Sequence, residues 1–144
     1  MNTYSKPTKG FWIIAVIALL WNLMGTFQFL SSTVLKDMLY ETLTDAQIAL
    51  FVNLPSWYYI VFGIAVITGV LGSILLLMRK KLAVLLYTIS LIAVSIQMIY
   101  WMFATDVIDV YGTTDALTMP IIVIITALVL LMYSRSVARK GWLS

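Results

Sequence analysis

The chain contains no cysteine and no histidine in 144 residues. The first absence excludes disulfides, thiol redox chemistry and thiolate metal sites. The second removes the commonest general base and the commonest metal ligand. Charge is also scarce. Asp, Glu, Lys and Arg make up 10% of the chain, against about 25% in an ordinary soluble domain. The mean hydropathy is +1.03, so these residues cannot cover a water-facing surface, and a lipid bilayer is the expected solvent for most of it.

The few charges are absent from four long apolar runs, at residues 10–30, 56–78, 82–104 and 116–133. Each is long enough to cross about 30 Å of hydrocarbon as a helix. Proton-coupled carriers place an acid or histidine inside the membrane. Intramembrane proteases need a Ser/His, Asp/Asp or metal constellation there. These runs supply neither, so no catalytic residue, no metal ligand and no cofactor is expected, and the chain reads as a non-enzyme.

What charge there is falls into a pattern. Lys6 and Lys9 precede the first run, Arg79, Lys80 and Lys81 separate the second from the third, and Arg135, Arg139 and Lys140 follow the fourth. Only Lys36 joins the six acids, Asp37, Glu41, Asp45, Asp106, Asp109 and Asp115, in the other two connections. Short Lys/Arg-rich segments stay cytoplasmic. Both termini are therefore predicted on the cytoplasmic side. The net charge of +3 is explained by topology and does not point to nucleic acid. The first run is too long for a signal-peptide core and lacks a small-residue cleavage site, so it is read as a retained helix.

A single membrane domain over 1–144 follows, an all-α bundle of four transmembrane helices. The turn at Arg79-Lys80-Lys81 makes the second and third helices an antiparallel hairpin. Thr44-Asp45-Ala46-Gln47 has the form of a capping box, with Ile48, Phe51 and Val52 at helical spacing behind it. A short extracytoplasmic amphipathic helix is predicted over 45–53. Leu35, Met38 and Leu39 fit a similar turn before it. Pro55 opens the second span, and Trp57, Tyr58 and Tyr59 follow at headgroup depth, as aromatic belts do. Residues 106–115 read as an acidic loop turning at Gly112. Pro120 is expected near the end of the fourth helix, where its missing N–H costs least.

Two groups of residues stand out within the spans. Ala65, Gly69 and Ser73 recur every four residues, widened by Gly72, with Gly25 as a counterpart in the first span. Small residues let helix backbones approach, within the bundle, at a homodimer seam or in the wall of a cavity. The second group is polar or aromatic. Asn22 and Gln28 in the first span, and Ser90 and Gln97 in the third, are costly against lipid and should face protein or water. Tyr87, Ser90, Val94, Gln97 and Trp101 share one face of the third helix, and Trp21, Gly25, Gln28 and Ser32 one face of the first. Interhelical hydrogen bonding accounts for them as packing devices. The alternative is an outward-facing pocket between the first and third helices. Trp21, Asn22, Gln28, Gln97 and Trp101 would there bind a small neutral or amphiphilic molecule.

Several stretches carry a family likeness. They are residues 11–28 with Trp21-Asn22-Leu23-Met24-Gly25, then Pro55-Ser56-Trp57, Gly69-Val70-Leu71-Gly72-Ser73, Met78-Arg79-Lys80-Lys81, Met119-Pro120-Ile121-Ile122 and the closing Lys140-Gly141-Trp142-Leu143-Ser144. The chain resembles, over nearly its whole length, a family of small four-helix bacterial membrane proteins often labelled "sugar transporter" in genomes. More distantly it is similar to DoxX-like bundles. The likeness implies a four-helix integral membrane protein, with a bacterial inner membrane as the expected home. The chain departs from semi-SWEET carriers, whose Pro-Gln element and three-helix repeat it lacks. It also lacks the membrane-embedded glutamate of small multidrug carriers. The leading expectation is a membrane protein that binds or passes a small molecule. The other is a structural or accessory subunit within a homo-oligomer or a larger membrane complex.

Overall fold

The computed structural model describes residues 6–144; the first five residues of the polar arm lie outside the described residues. Seven helices follow in order: α1 (Lys9–Ser32), α2 (Lys36–Tyr40), α3 (Asp45–Val52), α4 (Ser56–Leu77), α5 (Leu82–Ala104), α6 (Val107–Tyr111) and α7 (Thr113–Arg139). α1, α4, α5 and α7 are long and apolar enough to cross a membrane. Together they form a helical bundle. One end carries the basic turn and tail, and the other carries α2, α3, α6 and the acidic residues.

The long helices pack in a row: α1 on α4, α4 on α5, α5 on α7. Small residues set the first two seams. On α1, Phe11, Ala15, Ala18, Asn22, Gly25 and Phe29 alternate steps of four and three, which places them on one face. Asn22 lies over Gly69, Val66 approaches Gly25, and the Phe29 ring lies against Gly63, so α1 runs antiparallel to α4. On the other side of α4, Gly72 accepts the ring of Tyr87 from α5. Ala65, Gly69, Gly72 and Ser73 are all buried.

The basic end is the best-filled part of the core. Phe11, Leu76, Ala83, Tyr87, Leu130, Val137, Trp142 and Leu143 form one cluster there. α1 and α7 meet in it through Phe11 and Tyr133, whose rings stack 6.4 Å apart. The α4–α5 turn closes with Arg79 in the left-handed region, φ 58°, where glycine is usual. The tail holds it there. Arg79 Nε donates to the Trp142 carbonyl at 2.8 Å. The backbone N–H of Ser144 donates to the Arg79 carbonyl at 2.8 Å, and that of Lys81 to the Ser144 carbonyl at 2.9 Å.

The acidic end departs from the sequence expectation in several places. The capping box closes α3, with Gln47 N–H donating to Thr44 Oγ1 and Thr44 N–H to Gln47 Oε1. The helix is anchored, however, by Leu50, which is buried with Val107 and Ala116, while Val52 is exposed. Residues 106–115 are not a loop: α6 forms within them, and α7 begins at Thr113 after Gly112 at φ 86°. The early start places Pro120 inside α7, where it is buried. α7 also continues past Tyr133 to Arg139, because its last two turns still bury Ser134 and Val137. Tyr58 does not join a headgroup belt. It is buried and turned toward α5, because α4 presents Tyr58, Phe62, Ala65, Gly69 and Gly72 on one face.

Candidate functional site

Because α1 and α7 join mainly at the basic end, the bundle opens between them toward the acidic end. α4 and α5 form the back wall. Two chambers occupy this cleft. The deeper, of about 170 Å³, is lined by Trp21, Asn22 and Gly25 of α1, Ala65 and Val66 of α4, Tyr87, Ser90 and Val94 of α5, and Ala127 and Leu130 of α7. The second, of about 410 Å³, reaches the acidic end at Phe51, Trp101, Tyr111 and Asp115. Gln28, Phe62, Gln97, Met98, Met119 and Val123 line both, so the two adjoin, with Gln97 in the wall of each. An engineered apolar cavity of about 150 Å³ holds benzene, so the deeper chamber alone accommodates a ring or a short aliphatic chain.

Two polar clusters sit in its walls, and they differ in how fully they are satisfied. In the deeper one, Asn22 Nδ2 donates to the Ala18 carbonyl at 2.8 Å and to Ser73 Oγ at 3.1 Å. Ser73 Oγ donates to the Gly69 carbonyl at 2.9 Å. That uses its only hydrogen, so in the 2.8 Å contact between Ser73 Oγ and the Tyr87 hydroxyl the phenol is the donor. Ser90 Oγ donates to the Ala65 carbonyl at 2.8 Å. These bonds tie α1, α4 and α5 together, and their members have internal partners.

The second cluster is incomplete. Gln97 is 1% exposed. Its Nε2 donates to the Tyr58 hydroxyl at 3.2 Å, while its Oε1 is buried with no hydrogen-bond partner among the described residues. Such an acceptor costs about 1–3 kcal/mol of desolvation. The Tyr58 hydroxyl accepts from Gln97, which leaves its own hydrogen to offer. Trp101 stands beside this pair, 6.4 Å from the Tyr58 ring and 5.5 Å from that of Phe51 on α3. Tyr111, at the acidic end, has its phenol pushed up by burial and stays a neutral donor at physiological pH.

The five residues singled out by sequence do meet in this space: Trp21 and Asn22 in the deeper chamber, Trp101 in the other, Gln28 and Gln97 in both. The frame differs from the expected gap between the first and third spans. It is built by all four long helices and opens between the first and the fourth, because α4 intervenes between α1 and α5. Asn22 is committed to Ser73, and Gln28 lies exposed at the lip. Gly25 and Ala65 line the cavity, whereas Gly69, Gly72 and Ser73 belong to the seams. Tyr58 and the α7 wall were not anticipated. The signal for Tyr58 was its place in the stripe that continues through Phe62, Ala65 and Gly69.

Compared with models of known protein families, with curated proteins and with solved structures, the chain has no match.

Proposed function

We propose that this chain is a non-enzymatic membrane protein that binds a small neutral or amphiphilic molecule in the cleft between α1 and α7. Its basic end would face the cytoplasm of a bacterial cell and its acidic end the outside, as the distribution of Lys and Arg favours. One observation carries the reading: Gln97 Oε1, a buried acceptor without a partner in the wall of a cavity. A packing device would have its buried atoms partnered within the protein, as Ser73 Oγ and the Tyr87 hydroxyl are. A recognition group is completed by what it binds. The cleft holds amide, hydroxyl and indole groups in its depth, with Asp115 at its acidic mouth. These suit neutral polar groups and apolar faces. With no acid, base or metal ligand in the four apolar runs, and only Asp115 at the mouth, any passage of solute would be passive or driven by a partner.

The double variant Gln97→Leu/Tyr58→Phe tests this. Replacing both partners of a buried polar pair with apolar groups is close to neutral or stabilising, so its melting temperature should match or exceed that of the wild type. A ligand present at 100 times its Kd adds about 2.7 kcal/mol to stability. A thermal-shift screen of neutral solutes and amphiphiles should therefore find compounds that protect the wild type and not the variant. The accessory-subunit reading takes over if nothing protects the wild type and the variant melts well below it. That reading draws on the bonds that join Asn22, Ser73 and Tyr87 across α1, α4 and α5.

A further inference from the structure

Resting on the binding reading above, we infer that the ligand is a bilayer-dissolved amphiphile with one uncharged head that both donates and accepts, such as a hydroxyl or primary amide. Gln97 Oε1 lacks a donor, and the Tyr58 hydroxyl, once it accepts from Gln97 Nε2, has a hydrogen to give. A single hydroxyl satisfies both, donating to Gln97 and accepting from Tyr58. A charged head finds no charged residue in the lining of the deeper chamber, with Asp115 at the acidic mouth, and leaving it unpaired in a buried site is prohibitive. Below the pair the walls are mostly apolar, with Val66, Val94, Ala127 and Leu130 beside the polar groups of Asn22, Tyr87 and Ser90. From Gln97 to Tyr87 is ten residues of helix, roughly 15 Å at 1.5 Å per residue, which suits a medium-length chain.

The same geometry assigns the route. α1 and α7 share no extended seam among the described residues. Met24 on α1 and Met119 on α7 line the cavity yet are 61% and 54% exposed, so the cleft is open sideways at a depth where spanning helices face lipid. Unbranched methionines make an adaptable lip. A solute that enters here leaves the bilayer directly and does not cross the acidic end.

The test uses the full chain in phosphatidylcholine nanodiscs and a diazirine-bearing octanol, with labelled residues mapped by mass spectrometry. Labels are expected on the α5 and α7 walls of the deeper chamber. Excess 1-octanol should remove them, and octane should not. The affinity in Gln97→Leu/Tyr58→Phe should be roughly tenfold weaker, the factor that 1.4 kcal/mol represents. Because the chain has no cysteine, Met24→Cys/Met119→Cys can be bridged by a short bis-maleimide, and bridging should suppress labelling without lowering the melting temperature. Competition by octane equal to that of octanol overturns the assignment of the head. Undiminished labelling after bridging overturns the lateral route. If octanol never labels the cavity but radiolabelled glucose binds the wild type and not the variant, the amphiphile inference falls and the binding reading stands. If neither binds, both fall.

Discussion

At the scale of single residues, Gly69 and Asn22 are the most tightly coupled pair. A β-carbon at Gly69 would overlap the Asn22 side-chain amide and come within 3.3 Å of Ser90 Oγ. Alanine would otherwise be favoured over glycine in a helix by about 1 kcal/mol. Here the amide would have to swing away and give up its bonds to Ala18 and Ser73, and overpacking costs about 1–3 kcal/mol. Gly69→Ala should therefore lower the thermal stability of the purified protein by about 1–2 kcal/mol. In an Asn22→Ala background the same change should be neutral or stabilising, since the obstruction is gone. A cycle of the four proteins measures this coupling directly, and a Gly69→Ala protein that melts higher than the wild type would show that Asn22 does not occupy the seam. The stripe of small residues was legible in the sequence because spacing alone puts Ala65, Gly69 and Ser73 on one face. Which side chain fills the space above it was not, because a glycine does not name its neighbour.

At the scale of elements, segments whose signal is local were the easiest to read. The spans follow from the length of uncharged apolar runs, and α3 from Thr44 and Gln47, whose reciprocal bonds involve only neighbouring residues. Thr44→Ala should loosen α3 by about 0.5–2 kcal/mol. Hydrogen exchange should quicken over Asp45–Val52 and stay unchanged in α4 and α5; equal protection in the two proteins would mean that burial of Leu50, not the cap, holds the segment. Elements that depend on distant contacts were harder. α6 is too short to show a periodicity, and it forms because Val107 is buried against α3 and α7. Tyr58 sits next to Trp57 and Tyr59, close behind Pro55, where interfacial aromatics belong. Only its register with Phe62 and Ala65 marks it as inward-facing, and its partner Gln97 is 39 residues away. Likewise, the faces of α1 and α5 were readable from helical spacing. The insertion of α4 between them was not, so the cleft acquired walls from α4 and α7 that a pairing of the first and third spans leaves out.

At the scale of the whole molecule, the two ends of the bundle are built differently, and the charge pattern matches that division. The basic end is sealed by Phe11, Tyr133, Trp142 and the bonds between the tail and the α4–α5 turn. The acidic end holds three short helices and the wider chamber. If the basic end is cytoplasmic, the sealed side faces the cell interior, and the open side faces the outer leaflet. A protein oriented this way can take up an amphiphile from outside or from the bilayer while offering it no exit through the cytoplasmic end. Orientation is therefore a functional statement as well as a topological one. The absence of native cysteine allows single cysteines at Thr42, Thr114 and Ser136 to be probed on intact cells with a membrane-impermeant maleimide. Thr42 lies between α2 and α3, Thr114 in the first turn of α7, and Ser136 near its end. Labelling is expected at the first two, and at Ser136 only after the cells are permeabilised, because eight of the nine Lys and Arg residues lie on its side and such segments favour the cytoplasmic side. The reverse pattern would turn the sealed end outward, and the cleft would then draw its ligand from the cytoplasmic leaflet.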